Sequence, residues 1–377
     1  MENKLRGLIE GNSETNRVKQ AMEWKKQGKK IIGIMSSYVP EEVISAAGML
    51  PWRITGTWHE NIEHARVYRA ENSCGYCNHV LESFLSGQLD FLDGIVTTDE
   101  DDDLRLTWEV LEYLKTTRYF YIMHVPFFES ERNYWLLASE IRRWIASLED
   151  YGTVKITEDS LRSSIDTYNH MRNLLSQMYE LRKRENPPLS GAEVLGIMTT
   201  AQIMPKEEFN HELEMILTYL ENRKAGLNQV YPRLLLSSNM LDNPAYLDLI
   251  EESCVVAMDD MDTGSRYFNK NVDNTLKDPA YALAKRYMSR HGAPGMYHWD
   301  RQVEQIMEWV KEFNIDGILN LPLTWCYPQI YRMPFLSRQF EEAGIPSISV
   351  NREYQLANIG QTRTRIGAFL EMISARK

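Results

Sequence analysis

Two short segments decide the fold class: DGIVTT at residues 93–98 and DGILNL at residues 316–321. Each begins with Asp-Gly and continues as a short run rich in apolar side chains, a pattern typical of a buried parallel strand. Each also follows an earlier run of the same kind in its own half of the chain, KIIGIMS at residues 30–36 and RLLLS at residues 233–237. This repetition predicts two related sheets that arose by a distant internal duplication.

Predicted helices alternate with these strands. Further strands are predicted at residues 51–56, 119–125, 255–259 and 348–350. The predicted helices among them cover residues 40–49, 74–86, 108–114, 245–252, 280–290, 302–312, 336–343 and 360–373. This alternation indicates an α/β protein with two open parallel sheets of the Rossmann or flavodoxin kind. Ligands bind outside the carboxyl ends of such strands, so two facing domains predict a cleft.

The rest of the chain is divided around these two predicted domains. Residues 1–29 are predicted as a charged helical lead-in and residues 30–129 as the first α/β domain. Residues 130–228 have no convincing strand and are predicted as a helical linking and packing segment. Its three long helical patterns cover residues 134–148, 161–184 and 207–224. Residues 229–377 are predicted as the second α/β domain, which ends in a helix.

The composition excludes several functions. The chain has 377 residues, and 42 Lys and Arg against 53 Asp and Glu give a formal net charge of −11. Nucleic acids and anionic membranes bind basic surfaces, so neither is expected as a partner. No apolar run approaches the roughly 18–20 residues of a membrane helix, and the N-terminus lacks the apolar core of a signal peptide. We therefore expect a cytoplasmic protein, in which four spaced cysteines suggest metal or redox chemistry.

Three features of the sequence are candidates for chemistry. Cys74-Gly-Tyr-Cys77 lies at the start of a predicted helix, whose positive end stabilises thiolates, the form that metals bind. Cys326 lies in LTWCYPQIYRMP, which is predicted as a loop after the DGILNL strand. Acidic residues fill positions 99–103 after the DGIVTT strand. Each feature also has a plainer explanation: ordinary helix cysteines, a half-buried loop cysteine, and a solvated loop with a helix cap.

Other common signatures are missing from the sequence. Cys254 heads an apolar strand and is predicted to be a buried core thiol. No two of the eight histidines share metal-ligand spacing, which argues against a zinc hydrolase. There is no P-loop, no GxGxxG after a strand and no GxSxG, so direct ATP binding through a P-loop is not expected.

Taken together, several segments resemble the 2-hydroxyacyl-CoA dehydratase and benzoyl-CoA reductase family over nearly the whole chain. These segments are YVPEEVISAAGMLP, CGYCNHVLESFLSGQLDFLDG, DNPAY, GSRYF, DGILNLPLTWCYPQIYRMP, EEAGIP and GQTRTRIGAFLEMI. The resemblance implies two α/β domains with a helical part, and a [4Fe–4S] cluster held between the domains by three cysteines with one iron left open. It also implies a paralogous second subunit, in a heterodimer or larger assembly. ATP would enter only through a separate iron–sulfur activator protein.

Of the three cysteine ligands that the resemblance implies, only two are cysteines at the matching positions of this chain. Cys74 matches the first ligand and Cys326 the third, although Tyr327 replaces an Asp of the family pattern. Where the family has its second cysteine, this chain has Asp101. Three interpretations stay open: Cys77 supplies the missing thiolate, Asp101 is itself an oxygen ligand, or the cluster is degenerate and the subunit is a structural partner. Iron–sulfur clusters prefer thiolate, so the set of Cys74, Cys77 and Cys326 is favoured.

The implied reaction belongs to an oxygen-sensitive, anaerobic enzyme and places one low-potential electron on the carbonyl of a CoA thioester. In an (R)-2-hydroxyacyl-CoA dehydratase the resulting radical anion expels the hydroxyl group and gives an enoyl-CoA. In a benzoyl-CoA reductase it leads to ring reduction, which the segments GSRYF and NREY slightly favour here. The alternatives from other classes are a cluster-free structural partner subunit and a plain two-domain binder of small molecules.

An acidic protein needs a local basic site for the phosphates of CoA. The candidates are Arg266 in GSRYF, and Arg363 and Arg365 in TRTR. The plainer explanation for the latter two is that they are capping or surface side chains of the last helix. Proton donors are also needed, and we expect them near strand ends that face the cleft. The candidates are Tyr38, Glu41, Glu42 and Asp101, with no preference among them.

Overall fold

A computed structural model describes residues 1–58, 60–223, 231–290 and 299–376. The first half contains a four-stranded sheet whose neighbouring strands are all parallel. Its strands are β1 (Ile31–Ile34), β2 (Leu50–Arg53), β3 (Gly94–Thr98) and β4 (Tyr119–Met123), in the order β2-β1-β3-β4. The order reverses between β1 and β3, which is the position where open parallel sheets bind ligands.

The second half repeats this topology. Its strands are β5 (Arg233–Ser238), β6 (Val255–Asp260), β7 (Gly317–Leu321) and β8 (Ser347–Ser349), in the order β6-β5-β7-β8. All three strand pairings are again parallel, and every residue of β5, β6 and β7 is buried. The predicted α/β class with two parallel sheets is therefore confirmed, and the shared strand order agrees with an internal duplication.

Helices surround and connect the two sheets. They are α1 (Glu2–Ile9), α2 (Glu14–Lys26), α3 (Glu41–Ala46), α4 (Gly75–Leu85), α5 (Asp102–Tyr113), α6 (Glu131–Gly152), α7 (Glu158–Glu180), α8 (Gly191–Ala201), α9 (Lys206–Leu220), α10 (Ala245–Ile250), α11 (Ser265–Phe268), α12 (Pro279–Met288), α13 (Trp299–Glu312), α14 (Tyr327–Glu342) and α15 (Ile359–Ser374). Within the described ranges, no helix combines the length and the apolar character that crossing a bilayer requires.

The segment around Cys326 differs from its prediction. LTWCYPQIYRMP is predicted as a loop, but α14 begins at Tyr327, directly after Cys326. Pro328 occupies the first turn of this helix, where the missing backbone N–H breaks no helical hydrogen bond. The proline therefore helps to begin the helix, and Cys326 lies at a helix N-terminus.

The helical segment contains one helix, α8, that the sequence pattern does not predict. Nearly all its residues are buried, so it lacks the polar face from which an amphipathic helix is recognised. At the end of this segment α9 stops at Leu220. The predicted domain boundary between residues 228 and 229 lies outside the described residues.

Both faces of the first sheet are covered by helices. Alternate strand residues point to opposite faces, so Ile32 packs with Val43 of α3 and Ile141 of α6, while Ile31 packs with Val80 and its neighbours on α4. Helix α12, from the second half, also packs along α6. The two halves therefore share a core beside the first sheet instead of meeting only at a surface.

The second sheet is fixed to the helical segment by a buried polar contact at Asp259, near the end of β6. The Tyr179 hydroxyl donates to Asp259 Oδ2 at 2.6 Å, and Arg182 Nη1 donates to the same oxygen at 3.1 Å. Arg182 and Asp259 are each only 2% exposed. Removing one member of a buried ion pair leaves the other charge without a partner, which is strongly destabilising.

We predict that Asp259→Ala lowers the free energy of unfolding by about 3–5 kcal/mol, because it leaves the Arg182 guanidinium buried without its carboxylate. Urea denaturation followed by tryptophan fluorescence measures this change. The matched control is Glu342→Ala, whose partner Arg338 lies with it on an exposed helix surface, and it should leave the free energy of unfolding unchanged. Equal denaturation curves for the two variants would contradict the prediction.

Candidate active site between the two sheets

The carboxyl ends of both sheets open onto one pocket with about 520 Å³ of open space. Residues that follow β1, β3, β5, β6 and β7 line it, together with the first residues of α4. The lining residues are Met35, Ser36, Ser37, Arg53, Cys74, Tyr76, Cys77, Glu100, Asp101, Leu104, Asn239, Met240, Asp262, Leu323 and Cys326. The pocket therefore lies where parallel sheets bind ligands, and it draws on both halves of the chain.

Three of the four cysteines line this pocket. Cys74 directly precedes α4 and Cys326 directly precedes α14, so both thiols lie at helix N-termini, and Cys77 follows within the first turn of α4. Each of the three is at most 7% exposed. The positive ends of the two helices favour thiolate at this position. The fourth cysteine, Cys254, lies in the core of the second sheet, where burial raises the pKa of its thiol.

The three pocket thiols are hydrogen bonded to one another. Cys74 accepts hydrogen bonds from the thiols of Cys326 and Cys77, and these bonds lower the pKa of the Cys74 thiol well below its usual range. The same bonds, together with burial, raise the pKa of the Cys77 and Cys326 thiols. The Nδ2 amide of Asn239 donates to Cys326 Sγ at 2.9 Å. The arrangement favours one thiolate that is shared by three sulfur atoms.

The candidate donors for a metal or a cluster in this pocket are three thiols and two carboxyl groups from the acidic run. Within the described part of the chain, no group of three or more His, Cys, Asp and Glu side chains is placed to hold a metal ion. The pocket offers three thiols from two helix N-termini beside open space. Thiolate is the donor type that iron–sulfur clusters use.

Asp101 lies in the same pocket and also begins a helix. Its Oδ1 accepts hydrogen bonds from the backbone N–H groups of Asp103 at 2.7 Å and Leu104 at 3.2 Å, which makes Asp101 the N-cap of α5. Burial and the neighbouring Cys74 thiolate raise the pKa of Asp101 to about 7. The structure thus brings Asp101 and the three cysteines together. It also shows that Asp101 caps a helix, which is the ordinary structural role that the acidic run suggests.

Glu100 is a candidate that the sequence does not separate from its acidic neighbours. Its Oε1 accepts from the Ser36 hydroxyl at 2.6 Å, and Ser36 Oγ in turn accepts from Thr98 Oγ1 at 2.8 Å. Its Oε2 is buried and has no hydrogen-bond partner in the described ranges. Burial raises the pKa of Glu100 to about 8, so the neutral carboxyl form predominates at pH 7. A neutral carboxyl group that lines a pocket is able to donate a proton.

The other predicted proton donors lie outside this pocket. Among Tyr38, Glu41, Glu42 and Asp101, only Asp101 is part of its lining. Glu42 is fully buried in an ion pair with Arg172, which gives it a structural partner. The two glutamates of α3 and Tyr38 therefore do not supply an acid in the pocket of the thiols.

The three predicted CoA-binding arginines do not line the pocket of the thiols either. Arg266 is 1% exposed and donates from Nε and Nη2 to the Asp260 carboxylate at 2.7 and 2.8 Å. Arg363 is exposed and forms an ion pair with Glu252, and Arg365 donates to the Ser349 carbonyl. Arg266 is therefore occupied inside the second domain, whereas Arg363 and Arg365 lie on the outer surface of α15.

Two polar pocket residues, Arg53 and Asn239, are missed by the sequence interpretation. Arg53 is the last residue of β2, and Asn239 directly follows β5. Their positions at predicted strand ends could have identified them, because side chains at the carboxyl ends of parallel strands face the ligand site. Both are at most 6% exposed, which their polarity alone does not predict.

Comparisons with known proteins agree with this architecture. Residues 36–373 match the family model of the 2-hydroxyglutaryl-CoA dehydratase D-component. The chain is 28% identical to the (R)-phenyllactyl-CoA dehydratase beta subunit of Clostridium sporogenes, with 92% of each chain covered. It is 26% identical to one of the benzoyl-CoA reductase subunits of Thauera aromatica, with 94% of each chain covered. It is 25% identical to the (R)-2-hydroxyglutaryl-CoA dehydratase beta subunit of Acidaminococcus fermentans, over 93% of this chain and 94% of that one.

These relatives include both dehydratase and reductase subunits, so the comparisons give no support to the preference for ring reduction. The segments behind that preference serve the core in this structure: Arg266 of GSRYF pairs with Asp260, and Tyr354 of NREY donates to Asp242. The family model covers the chain from the end of β1 to the last turns of α15. The chain therefore belongs to the family of the 2-hydroxyglutaryl-CoA dehydratase D-component.

Proposed function

We propose that this chain is a subunit of an anaerobic enzyme that activates a CoA thioester by one-electron reduction. The observation that carries the proposal is the meeting of Cys74, Cys77 and Cys326 in one buried pocket at the carboxyl ends of both sheets. Sulfur ligands of this kind are the ones that iron–sulfur clusters use. The reported relatives are subunits of acyl-CoA dehydratases and of an acyl-CoA reductase, which supports the same substrate class.

Cys74, Cys77 and Cys326 would hold a [4Fe–4S] cluster, with Asp101 as the alternative to Cys77. When bound, such a cluster supplies single electrons at low potential and Lewis-acid character. Two helix N-termini stabilise the negative charge of the thiolates. The side chains of Met35, Leu104 and Leu323 give the same space apolar walls.

Proton transfer is assigned to Glu100. Its carboxyl group lines the pocket, is neutral at pH 7 because burial raises its pKa, and is held by the Ser36 hydroxyl. A neutral carboxyl beside a departing hydroxyl group supplies the proton that turns it into water. Ser36 orients this acid, and Thr98 orients Ser36 in turn.

Of the two reactions, the residues of the pocket favour elimination of a 2-hydroxyl group over reduction of an aromatic ring. Ser36, Ser37 and Glu100 offer hydrogen bonds to a hydroxyl group on the substrate. Tyr76 is the single aromatic side chain among the described residues that line the pocket, and its hydroxyl is held by the Ile54 carbonyl at 2.9 Å. An aromatic acyl ring would meet mostly sulfur, aliphatic and polar groups at this site.

The proposal includes partners. The reported relatives are all named as subunits, which supports a paralogous second subunit for this chain. An ATP-dependent iron–sulfur activator would deliver the electron, so ATP would act only through that protein. Arg363 and Arg365 remain the candidates for the phosphates of CoA, because both are exposed.

We predict that Cys77→Ala lowers the iron and acid-labile sulfide content of the anaerobically purified complex relative to the wild type, because a thiolate ligand is lost. The control is Cys254→Ala, which removes a buried thiol elsewhere and should leave both contents unchanged. Asp101→Asn keeps an N-cap on α5 and removes only the carboxylate. Iron lost with Asp101→Asn but kept with Cys77→Ala would move the ligand to Asp101. A wild-type chain that binds no iron would support the structural-partner alternative.

We predict that Asn239→Leu shifts the midpoint potential of the cluster to more negative values, because the N–H···S hydrogen bond to Cys326 is lost. An anaerobic redox titration followed by electron paramagnetic resonance measures the potential. Met35→Leu is the control, since it changes a pocket side chain of similar volume without removing a donor. Identical potentials in Asn239→Leu and the wild type would show that this hydrogen bond has no effect.

We predict that the complex, supplied with a low-potential electron donor, converts a 2-hydroxyacyl-CoA to the enoyl-CoA and leaves benzoyl-CoA unchanged. Mass spectrometry of the CoA esters detects the loss of water. Glu100→Gln should reduce this turnover strongly while the iron content stays at the wild-type value, because the proton donor is lost and the ligands are not. Reduction of benzoyl-CoA alone would overturn the assignment to elimination.

A further inference from the structure

A short buried segment after β8 contacts both of the helix N-termini that carry the pocket cysteines. It consists of residues 352–355 and is called the post-β8 segment. Arg352 is 3% exposed and Tyr354 is 1% exposed, although segments between regular elements usually run over the surface of a protein. Neither residue is among those that line the pocket of the thiols. Any effect of this segment on the pocket is therefore exerted through the residues that it contacts.

One end of the post-β8 segment fixes the turn that leads to Cys326. The N–H and the hydroxyl group of Thr324 donate to the Arg352 carbonyl at 2.8 and 3.0 Å. The Arg352 N–H donates to the Pro322 carbonyl at 3.0 Å. Trp325 has a φ of 65°, a left-handed conformation that a bulky residue adopts only where its surroundings impose it. Cys326 follows directly, so its backbone is held against the post-β8 segment.

The other end of the segment packs against the start of α4. The Tyr354 side chain lies on Gly75, the residue after Cys74, and a Cβ atom added to Gly75 would lie 3.2 Å from Tyr354 Cβ. The Tyr354 ring also contacts the rings of Tyr76 and His79, with centroid separations of 5.9 and 5.0 Å. Gly75 and Tyr76 are the two residues between the cysteines of α4. Tyr354 therefore contacts the part of the chain that presents these two thiols.

The hydroxyl group of Tyr354 links the two halves of the chain. It accepts a hydrogen bond from the Gly56 N–H, in the first half, at 2.8 Å. It donates to the Asp242 carboxylate, in the second half. All three groups belong to buried residues, and a buried polar group that loses its partner is costly in free energy. Both hydrogen bonds form only when the two halves keep their separation at this point.

The post-β8 segment is also fixed to the second sheet. Arg352 donates to the Met240 carbonyl, which follows β5. The Tyr246 hydroxyl of α10 donates to the carbonyl oxygens of Glu353 and Gln355, at 2.8 and 2.7 Å. The backbone of the segment is therefore anchored in the second half, and its tyrosine side chain extends from there to the first half.

We propose that Tyr354 is a positioning residue that sets the separation between the thiols of Cys74 and Cys326. Tyr354, Leu323 and both cysteines belong to one buried hydrophobic core. Residues that contact the ligands of a metal site orient those ligands, and their loss weakens binding of the metal. The inference rests on the proposed function in taking these thiols as ligands, whereas their separation is a property of the chain itself.

The first measurement uses the full chain prepared without iron. Cys77→Ser and Cys254→Ser leave Cys74 and Cys326 as its two thiols. Dibromobimane, a reagent that links two neighbouring thiols, is added under anaerobic conditions, and mass spectrometry gives the ratio of linked to singly modified chain. Tyr354→Leu should lower this ratio several-fold, because the two thiols are no longer held close together.

Tyr179→Leu is the matched control, since it removes another buried tyrosine whose hydroxyl donates to an aspartate, in a different part of the core. It should leave the ratio unchanged. Tyr354→Phe keeps the ring on Gly75 and loses only the hydroxyl group, so its ratio should be intermediate. Equal ratios in Tyr354→Leu and Tyr179→Leu would overturn the positioning role. If Tyr354→Leu does not fold, the comparison of Tyr354→Phe with Tyr179→Phe decides in the same way.

The second measurement uses the anaerobically purified complex with all its cysteines. Loss of iron to a chelator should be about tenfold faster in Tyr354→Leu than in the wild type, as is typical when a residue that orients a metal ligand is removed. Tyr179→Leu should lose iron at the wild-type rate. A complex without iron, in which the linked ratio still depends on Tyr354, would refute the proposed cluster and leave the positioning role standing. Bound iron, with neither measurement dependent on Tyr354, would overturn the positioning role and leave the proposed function intact.

Discussion

The direction of the strands is the constraint on which the rest of this structure depends. Because all strands within each sheet run parallel, each sheet places the residues after its strands at one edge. The two edges open onto the same pocket, so residues distant in sequence, such as Cys74 and Cys326, become neighbours. Antiparallel strands would distribute these residues between opposite edges of the sheet, and the thiols would not meet.

The second consequence of this arrangement is a pocket in which neighbouring groups have their pKa values shifted in opposite directions. Two helices begin at its wall, and the hydrogen bonds that Cys74 accepts from the other two thiols favour thiolate at Cys74. Burial acts in the opposite direction on the carboxyl groups nearby and raises the pKa of Glu100 to about 8. One pocket therefore holds both a thiolate and a neutral carboxyl group. The charge on each follows from its surroundings and not from its residue type.

The buried arginines differ in whether a neighbouring carboxylate neutralises their charge. Arg182 and Arg266 are buried beside carboxylates of β6, and these ion pairs fix the second sheet to its neighbours. Arg53 is also buried, but among the described residues its guanidinium donates a hydrogen bond to the Met240 sulfur and forms no ion pair with a carboxylate. The difference indicates that the first two stabilise the fold, whereas Arg53 is available to a ligand. Sequence provides no means to make this distinction, because burial and pairing depend on distant segments of the chain.

The sequence alone determined the fold class and the family. Those depend on local patterns, since the buried strands DGIVTT and DGILNL and their spacing with helices are visible in the chain itself. It also singled out Cys74, Cys77, Cys326 and Asp101, which the structure brings into one pocket. It failed at α14, because Pro328 indicates a loop unless its place in the first helical turn is known.

Only the tertiary structure decided which polar residues share the site. Arg53 and Asn239 line it, whereas Arg266 is occupied by Asp260 and lies elsewhere. Likewise, Glu100 is distinguished from the acids around it by its burial and its contact with Ser36. These properties depend on contacts between segments far apart in the chain. Hydrogen bonding, burial and charge balance at a residue are set by such contacts, and residue type and spacing do not specify them.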